Sequence, residues 1–285
     1  MSLPDPAAPT TLADLRVEID RIDAQMHELL IQRSAIIERL IEVKKTQVAG
    51  QVATSAFRPG REAEMMKRLA LRHKGLLPLD TVESIWRIII ATFTWVQSNY
   101  TVHADICDGD APMRDSVRFH FGFTVPFQPH GDAMSVIAAV AQSAGDLGVF
   151  RMDQGAGAGA WWLALTAPDA PKIIARLPFI ERPDHPAGTP VYCIAKPLAD
   201  AAVREIVLYG AKVERWTPAL RTPLAACLAD VSASAASADG LSLLIAADGG
   251  TGIEAIRIAL KPAGLTSLAE VGSHAARFTA PNRSA

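Results

Sequence analysis

One apolar periodicity near the N-terminus constrains this chain more than any other feature. Leu12, Leu15, Ile19, Ile22, Met26, Leu29, Ile36, Leu40 and Val43 recur at spacings of three, four and occasionally seven, the signature of an amphipathic helix. The spacing predicts a single helix from residue 11 to about Thr46, with Thr11 and Asp14 capping its start. A helix of roughly 35 residues spans about 50 Å, which is long for a small domain, so it needs a partner along its length.

Past the loop VAGQVATSAFRPG, a second helix is expected from Arg61 to about His73 and a third from about Thr81 to Tyr100. Three helices with one over-long member cannot enclose a good core alone. An intertwined homodimer is the natural solution. The segment VHADICDGDAPM is polar and turn-rich, and beyond it the runs LGVFRM, WWLAL, KIIARLPFI, VYCIA, REIVLYG and LSLLIAA read as strands alternating with helices. The fold class expected is therefore α+β multidomain, an all-α N-terminal region followed by an α/β region. The Ala/Ser-rich stretch ACLADVSASAASADG reads as a divider before a terminal βαβ-like unit.

The 285 residues, 49% hydrophobic and 20% charged, suffice for two domains. A formal net charge of −2 provides no basic field to draw nucleic acid or an acidic membrane surface, so any anion site must be local. Three scattered cysteines, Cys107, Cys193 and Cys227, suggest neither a disulfide framework nor a metal knuckle and fit a reducing, cytoplasmic setting. The first ten residues, MSLPDPAAPT, read as a disordered arm rather than a signal peptide, and no run approaches the length of a membrane span.

Charge placement narrows the function. Arg33 and Lys44 are eleven residues apart, about 20° in azimuth and about 16 Å in rise on one helix, so they share a face. Arg16 points about 100° away from Arg33 and would serve a partner's pocket more easily than its own. Taken singly, each reads as a solvated charge on the polar face. Together with Arg61, Glu62 and Gln97 they describe a cationic pocket with one acid and one amide, suited to a small dianion.

These residues carry a family likeness. LADLRVEIDRIDAQMHELLIQRSAIIERLIEVKK, then FRPGREAEMMKRL, then IWRIIIATFTWVQ resemble the all-helical chorismate mutase family over residues 11 to 101. The resemblance implies a dimer of three-helix protomers that converts chorismate to prephenate by a Claisen rearrangement, with no cofactor and no metal. It makes Arg33 a ligand of a substrate carboxylate and Arg16 the arginine reaching across from the other subunit. Lys44 and Gln97 would donate to the ether oxygen, and Glu62 would accept from the ring hydroxyl. Arg61 would lie beside the site. Two positions depart from the family pattern. Arg58, which joins the substrate-binding set, replaces a common acid, so hydroxyl recognition rests on Glu62; Phe93 stands where a small polar residue is common.

Residues 114 to 225 faintly resemble a prephenate dehydratase domain, through FHFGFTVPF and GDLGVF. Where that family would carry Thr-Arg-Phe this chain has Thr189, Pro190 and Val191, and where an acid is followed by Asn and Ser it has Met152, Asp153 and Gln154 and then GAGAGA. A degenerate domain without dehydratase activity is the expectation. The GAGAGA run lacks the spacing of a phosphate loop and reads as a turn. His120 and His130 near Asp132 are weak as a metal cluster, and Trp161 with Trp162 reads as core. Residues 240 to 278 distantly resemble an ACT-type small-molecule sensing unit, which implies an aromatic amino acid as effector. Two further readings are a non-catalytic metabolite-binding or scaffold protein and a plain dimerising helix.

Overall fold

The computed structural model describes residues 11–47, 56–106, 109–152, 159–197, 203–237 and 240–280. The expected arm at residues 1–10, Cys107, Asp153, Gln154 and residues 155–158 of the GAGAGA run lie outside the described residues. Met1–Gln51 and Val52–Ala285 are separate compact units.

The first unit is one uninterrupted helix, α1 (Leu12–Gln47), of 36 residues. Its start is a reciprocal cap: Thr11 donates its backbone N–H (3.1 Å) and its hydroxyl (2.7 Å) to Asp14 Oδ2, and the Asp14 N–H donates to Thr11 Oγ1 (3.2 Å). In the single chain its apolar residues stay outside, Leu12 at 65%, Leu29 at 63% and Ile36 at 65% exposure. Such a stripe marks an interaction surface.

The second unit begins with α2 (Pro59–Arg72), which has Pro59 in its first turn where no donor is lost, and α3 (Leu79–Gln97). Then β1 (Val102–Asp105), α4 (Ala111–Phe121), β2 (Phe127–His130), α5 (Ala133–Gln142) and β3 (Leu147–Arg151) form two crossovers, with β2 and β3 both parallel to β1. The strands β4 (Lys172–Leu177), β5 (Ile180–Glu181) and β6 (Val191–Ala195) follow, β6 antiparallel to both β3 and β4. Next come β7 (Ile206–Val213), α6 (Arg221–Ala226), β8 (Ala229–Ser237), β9 (Gly240–Asp248), α7 (Ile253–Leu260), β10 (Leu265–His274) and β11 (Phe278–Thr279).

Nine strands make one sheet, ordered β2-β1-β3-β6-β4-β10-β7-β9-β8, and β5 pairs with β11 apart from it. From β7 to β10 the chain is a βαββαβ unit with antiparallel pairs β10·β7, β7·β9 and β9·β8, the split-βαβ arrangement. It joins the rest of the sheet where Gly272 of β10 pairs with Ile173 of β4. Gly272 has φ +149°, and a Cβ there would lie 2.1 Å from the Ile173 carbonyl oxygen. Only glycine lets the two strands close at this bulge.

The cores follow the period-two rule. Val191, Cys193 and Ala195 of β6 face a core built with α2, α3 and α4, whereas Tyr192 and Ile194 face one built with α5 and the paired tryptophans. On β7, Val207, Tyr209, Ala211 and Val213 pack with α6 and α7. The helical N-terminal region and the large mixed sheet with its helices give the α+β multidomain class expected.

Two segments correct the sequence reading. WWLAL is a 3₁₀ turn, Trp161–Leu165, not a strand. A strand would send adjacent tryptophans to opposite faces, but this turn buries both in one core, Trp161 stacked on Phe150 at 4.1 Å and set edge-on to Trp162. The Ala/Ser-rich stretch does not divide the chain: it ends α6 and forms edge strand β8, whose Ala235 is buried.

Candidate active site

The candidate residues fall on both compact units. On α1, Arg16 and Lys44 are exposed and Arg33 is half-buried. Because the helix is unbroken from Leu12 to Gln47, the shared face of Arg33 and Lys44 and the divergence of Arg16 follow from helical geometry.

In the second unit, Arg58 directly precedes α2 and its Nη1 donates to the Phe57 carbonyl at 3.2 Å. Arg61 is exposed, while Glu62, the next residue round the turn, is only 4% exposed. Gln97 closes α3, where its Nε2 donates to the Phe93 carbonyl at 3.0 Å. The Glu62 carboxylate does not meet Gln97. Its Oε2 accepts from Arg87 Nη1 at 2.7 Å, and Arg87 lies ten residues, about 15 Å of helix rise, before Gln97.

Arg87, a single cation within the apolar run IWRIII, organises this part of the molecule. It is 1% exposed. Its Nε and Nη2 donate to the His120 carbonyl near the end of α4, at 3.2 and 3.1 Å, and its guanidinium lies 5.3 Å from the centre of the Phe179 ring. Burial pushes the Glu62 carboxyl up, and the charge and hydrogen bond of Arg87, with a backbone hydrogen bond from Arg58, offset only part of that rise. Burial also raises the Tyr100 phenol, reinforced by Glu62, and pushes the Cys193 thiol up to about 12. The His120 imidazole is driven well below its usual range by burial, then by Arg87 and His185. Neither of its ring nitrogens has a hydrogen-bond partner, so it stays neutral beside Arg87.

One turn earlier on α3 a second charged group is buried. Glu83, 0% exposed, accepts from Arg182 Nη1 at 2.6 Å and from His185 Nε2 at 3.3 Å. His185 Nδ1 accepts from the Ala187 N–H at 3.0 Å, which places its proton on Nε2. Arg182 also pairs with Asp80. Buried positions Val82, Glu83, Arg87, Ile90, Ala91 and Thr94 make one helical stripe, so α3 docks through a face that carries two charges. The available signal was Arg87 breaking the apolar run IWRIII, with Glu83 four residues before it.

The histidines near Asp132 have other duties. Asp132 caps α5, accepting from Ser135 N at 2.8 Å and Ser135 Oγ at 2.7 Å. His130 Nε2 lies 2.9 Å from His103 Nδ1, and His103 Nε2 lies 3.1 Å from Asp146 Oδ2. Among the described residues no group of three or more His, Cys, Asp or Glu side chains is placed to hold a metal ion, and no helix is long and apolar enough to cross a membrane. Thr189 is buried, its carbonyl accepting from Ser116 Oγ at 2.9 Å. A cavity of ≈ 530 Å³ lies in the βαββαβ unit, lined by Trp216, Arg221, Leu224, Asp230, Ser234 and Leu243 among others.

Comparison with known proteins bears on the helical region first. The bifunctional chorismate mutase/prephenate dehydratase of Pseudomonas aeruginosa is 29% identical over 143 residues, which covers 50% of this chain and 39% of the relative. The chain thus spans about two fifths of the length of the curated relative it matches. No solved structure matches. The aligned stretch is longer than the family match and so extends beyond it. Residues 15–98 of the chain match the family described as Chorismate mutase type II.

Proposed function

We propose that the chain is a chorismate mutase, rearranging chorismate to prephenate in aromatic amino acid biosynthesis. The observation that carries this reading is α1: one unbroken helix, inside a region matching the mutase family, with Arg33 and Lys44 on one face. A pericyclic step needs neither nucleophile nor proton transfer, only the compact diaxial conformer and stabilisation of a polarised transition state. In this reading Arg33 grips a carboxylate by a forked hydrogen bond, with Arg58 and Arg61 supporting the charge balance. Lys44 and Gln97 donate to the ether oxygen as negative charge develops there. An amide nitrogen carries two hydrogens, so the bond from Gln97 to Phe93 is compatible with one to substrate. Glu62 accepts from the ring hydroxyl. A millionfold acceleration is about 8 kcal/mol, and two donors at about 3 to 4 kcal/mol each supply most of it.

The exposed apolar stripe of α1 supports a homodimer in which Arg16 serves the partner's pocket. The proposed domains are a helical mutase domain at residues 11–101, a degenerate dehydratase-like domain from residue 114, and an ACT-like unit that takes in the whole βαββαβ segment Ile206–His274 rather than the expected 240–278 alone, in a cytoplasmic protein. Thr189, Pro190 and Val191 in place of Thr-Arg-Phe support the absence of dehydratase activity. The cavity offers a guanidinium, a carboxylate and an indole, which suits an aromatic amino acid as effector.

The test is direct. Purified chain should consume chorismate and form prephenate without phenylpyruvate, and no prephenate would end the mutase reading. Inactive Arg16→Ala and Lys44→Ala chains, mixed, should recover about a quarter of the sites, since half the dimers are hybrid and each hybrid has one intact site. No recovery despite proven subunit exchange would place Arg16 outside the site. An unchanged rate and melting temperature with millimolar phenylalanine, tyrosine or tryptophan would remove the effector.

A further inference from the structure

We infer that Arg87 is the positioning residue for Glu62, and that the α/β part of the chain holds the hydroxyl-binding acid of the mutase through it. The inference rests on the mutase reading above. Glu62 must be an ionised, oriented acceptor if it is to take a hydrogen bond from a ring hydroxyl. A carboxyl that is 4% exposed would sooner hold a proton than a charge, and protonated it would offer a donor where an acceptor is needed. Arg87 works toward both: its charge opposes, without cancelling, the upward push of burial on the carboxyl. Its Nη1 fixes Oε2 at 2.7 Å, and the Arg58 backbone hydrogen-bonds the same carboxylate.

Arg87 is in turn fixed from outside the mutase-type region. The two donors on its other edge meet the His120 carbonyl near the end of α4, and Phe179, just past β4, covers its face. A guanidinium bonded on both edges cannot swing, because its fork is planar and rigid. One turn away, Glu83 is tied to Arg182 and His185, which also belong to the α/β part. The acid on α2 is therefore aimed by contacts that the three helices alone do not contain. Glu62 has Arg87 on α3, the Arg58 backbone before α2, Tyr100 after α3 and Cys193 on β6 around it, while His120 on α4 and His185 beyond β5 lie on the Arg87 side of the pair. Among the described residues Glu62 is the carboxylate that pairs with Arg87, and burial keeps His120 neutral beside that pair.

The experiment uses the full chain and follows chorismate conversion from pH 4.5 to 9. In Arg87→Met the acid limb of kcat/KM should move up by about one pH unit or more, because Glu62 loses the charge that keeps it ionised. At pH 7 kcat/KM should fall about 100-fold, the scale of a misplaced contact. Arg87→Lys should restore part of both. Since Arg87→Met leaves a buried carboxylate alone and can impair folding, the decisive comparison is Glu62→Gln against the Glu62→Gln/Arg87→Met pair, in which neither of these two positions is charged. The pair should be no slower than Glu62→Gln, within about twofold, because residues acting as one unit are not additive. A further tenfold loss in the pair, or a folded Arg87→Met with the parent's pH profile and rate, overturns the assignment while the mutase reading stands. A parent that forms no prephenate at any pH overturns both.

Discussion

In α1, Leu29 and Ile36 are 63% and 65% exposed, whereas in α3 Glu83 and Arg87 are 0% and 1% exposed. Both are long amphipathic-patterned helices within the same family-matched stretch. Their side chains obey opposite rules in the single chain. On α1 Arg16 and Lys44 sit where water can reach them, Arg33 is half-buried and the apolar stripe is uncovered, so its sequence is written for an association that one chain does not supply. On α3 every buried charge has a partner from a distant segment: Glu62 is 25 residues from Arg87, and Arg182 is 99 from Glu83. Hydrophobic burial tolerates charge inside only when it is paired and hydrogen-bonded. The contrast separates two kinds of charged residue, those available to a ligand and those committed to the fold.

That separation can be broken most forcefully at Glu83. Glu83→Gln removes the charge and turns one of the two acceptor oxygens that Arg182 and His185 share into a donor, leaving the nearly buried Arg182 guanidinium with the half-exposed Asp80 alone as counter-charge. The expected loss is about 3 to 5 kcal/mol, read as a lower urea midpoint at unchanged slope. A midpoint equal to the parent's would show that α3 does not dock through its charges. Lys44→Met should do the reverse. Activity should fall by about 10²- to 10³-fold, the cost of one donor to a developing oxyanion, while the urea midpoint stays within about 0.5 kcal/mol of the parent, as for an ordinary surface change. Destabilisation as large as that of Glu83→Gln would erase the difference between the two helices. Gln97 tests the boundary between them: with glutamate there the donor exists only when protonated, so Gln97→Glu should confine activity to acid pH, and a variant that keeps the parent's activity at neutral and alkaline pH would deny it the role.

The same contrast explains what the sequence disclosed. Helix limits were legible, Leu12–Gln47 against an expected 11 to 46, because an apolar period of 3.6 is a local property. The strands VYCIA, REIVLYG and LSLLIAA were legible as short, near-continuous apolar runs, which is also a local property. Arg87 and Glu83 were not, since periodicity assigns charges to solvent and their partners come from α4 and the segment after β5. Nor was the full βαββαβ unit, because its first helix and edge strand β8 are short or built from alanine and serine, with little apolar signal. Of the candidate site, the α1 residues were placed by helix geometry alone, while the surroundings of Glu62 needed tertiary contacts.

The smallest effect concerns acid stability, and it belongs to the region of committed polar groups. His274 closes β10 at 2% exposure, donates Nδ1–H to the Ala275 carbonyl at 2.7 Å and leaves Nε2 buried without a partner. Burial lowers its pKa from 6.5 to about 4, with Arg176 and Arg277 adding to the fall while the Ala275 bond and Glu205 oppose it. A folded-state pKa below the unfolded value means that the unfolded chain binds the extra proton as pH falls. Stability from this group is therefore complete above about pH 6.5 and is lost progressively down to about pH 4, by an amount on the order of 3 kcal/mol. His274→Gln keeps a donor at that position but cannot take up the proton. Its urea midpoint should fall less than the parent's between pH 7 and pH 4.5. Equal losses in the two proteins would mean that His274 is hydrated or already charged in the fold, and that acid acts through other groups.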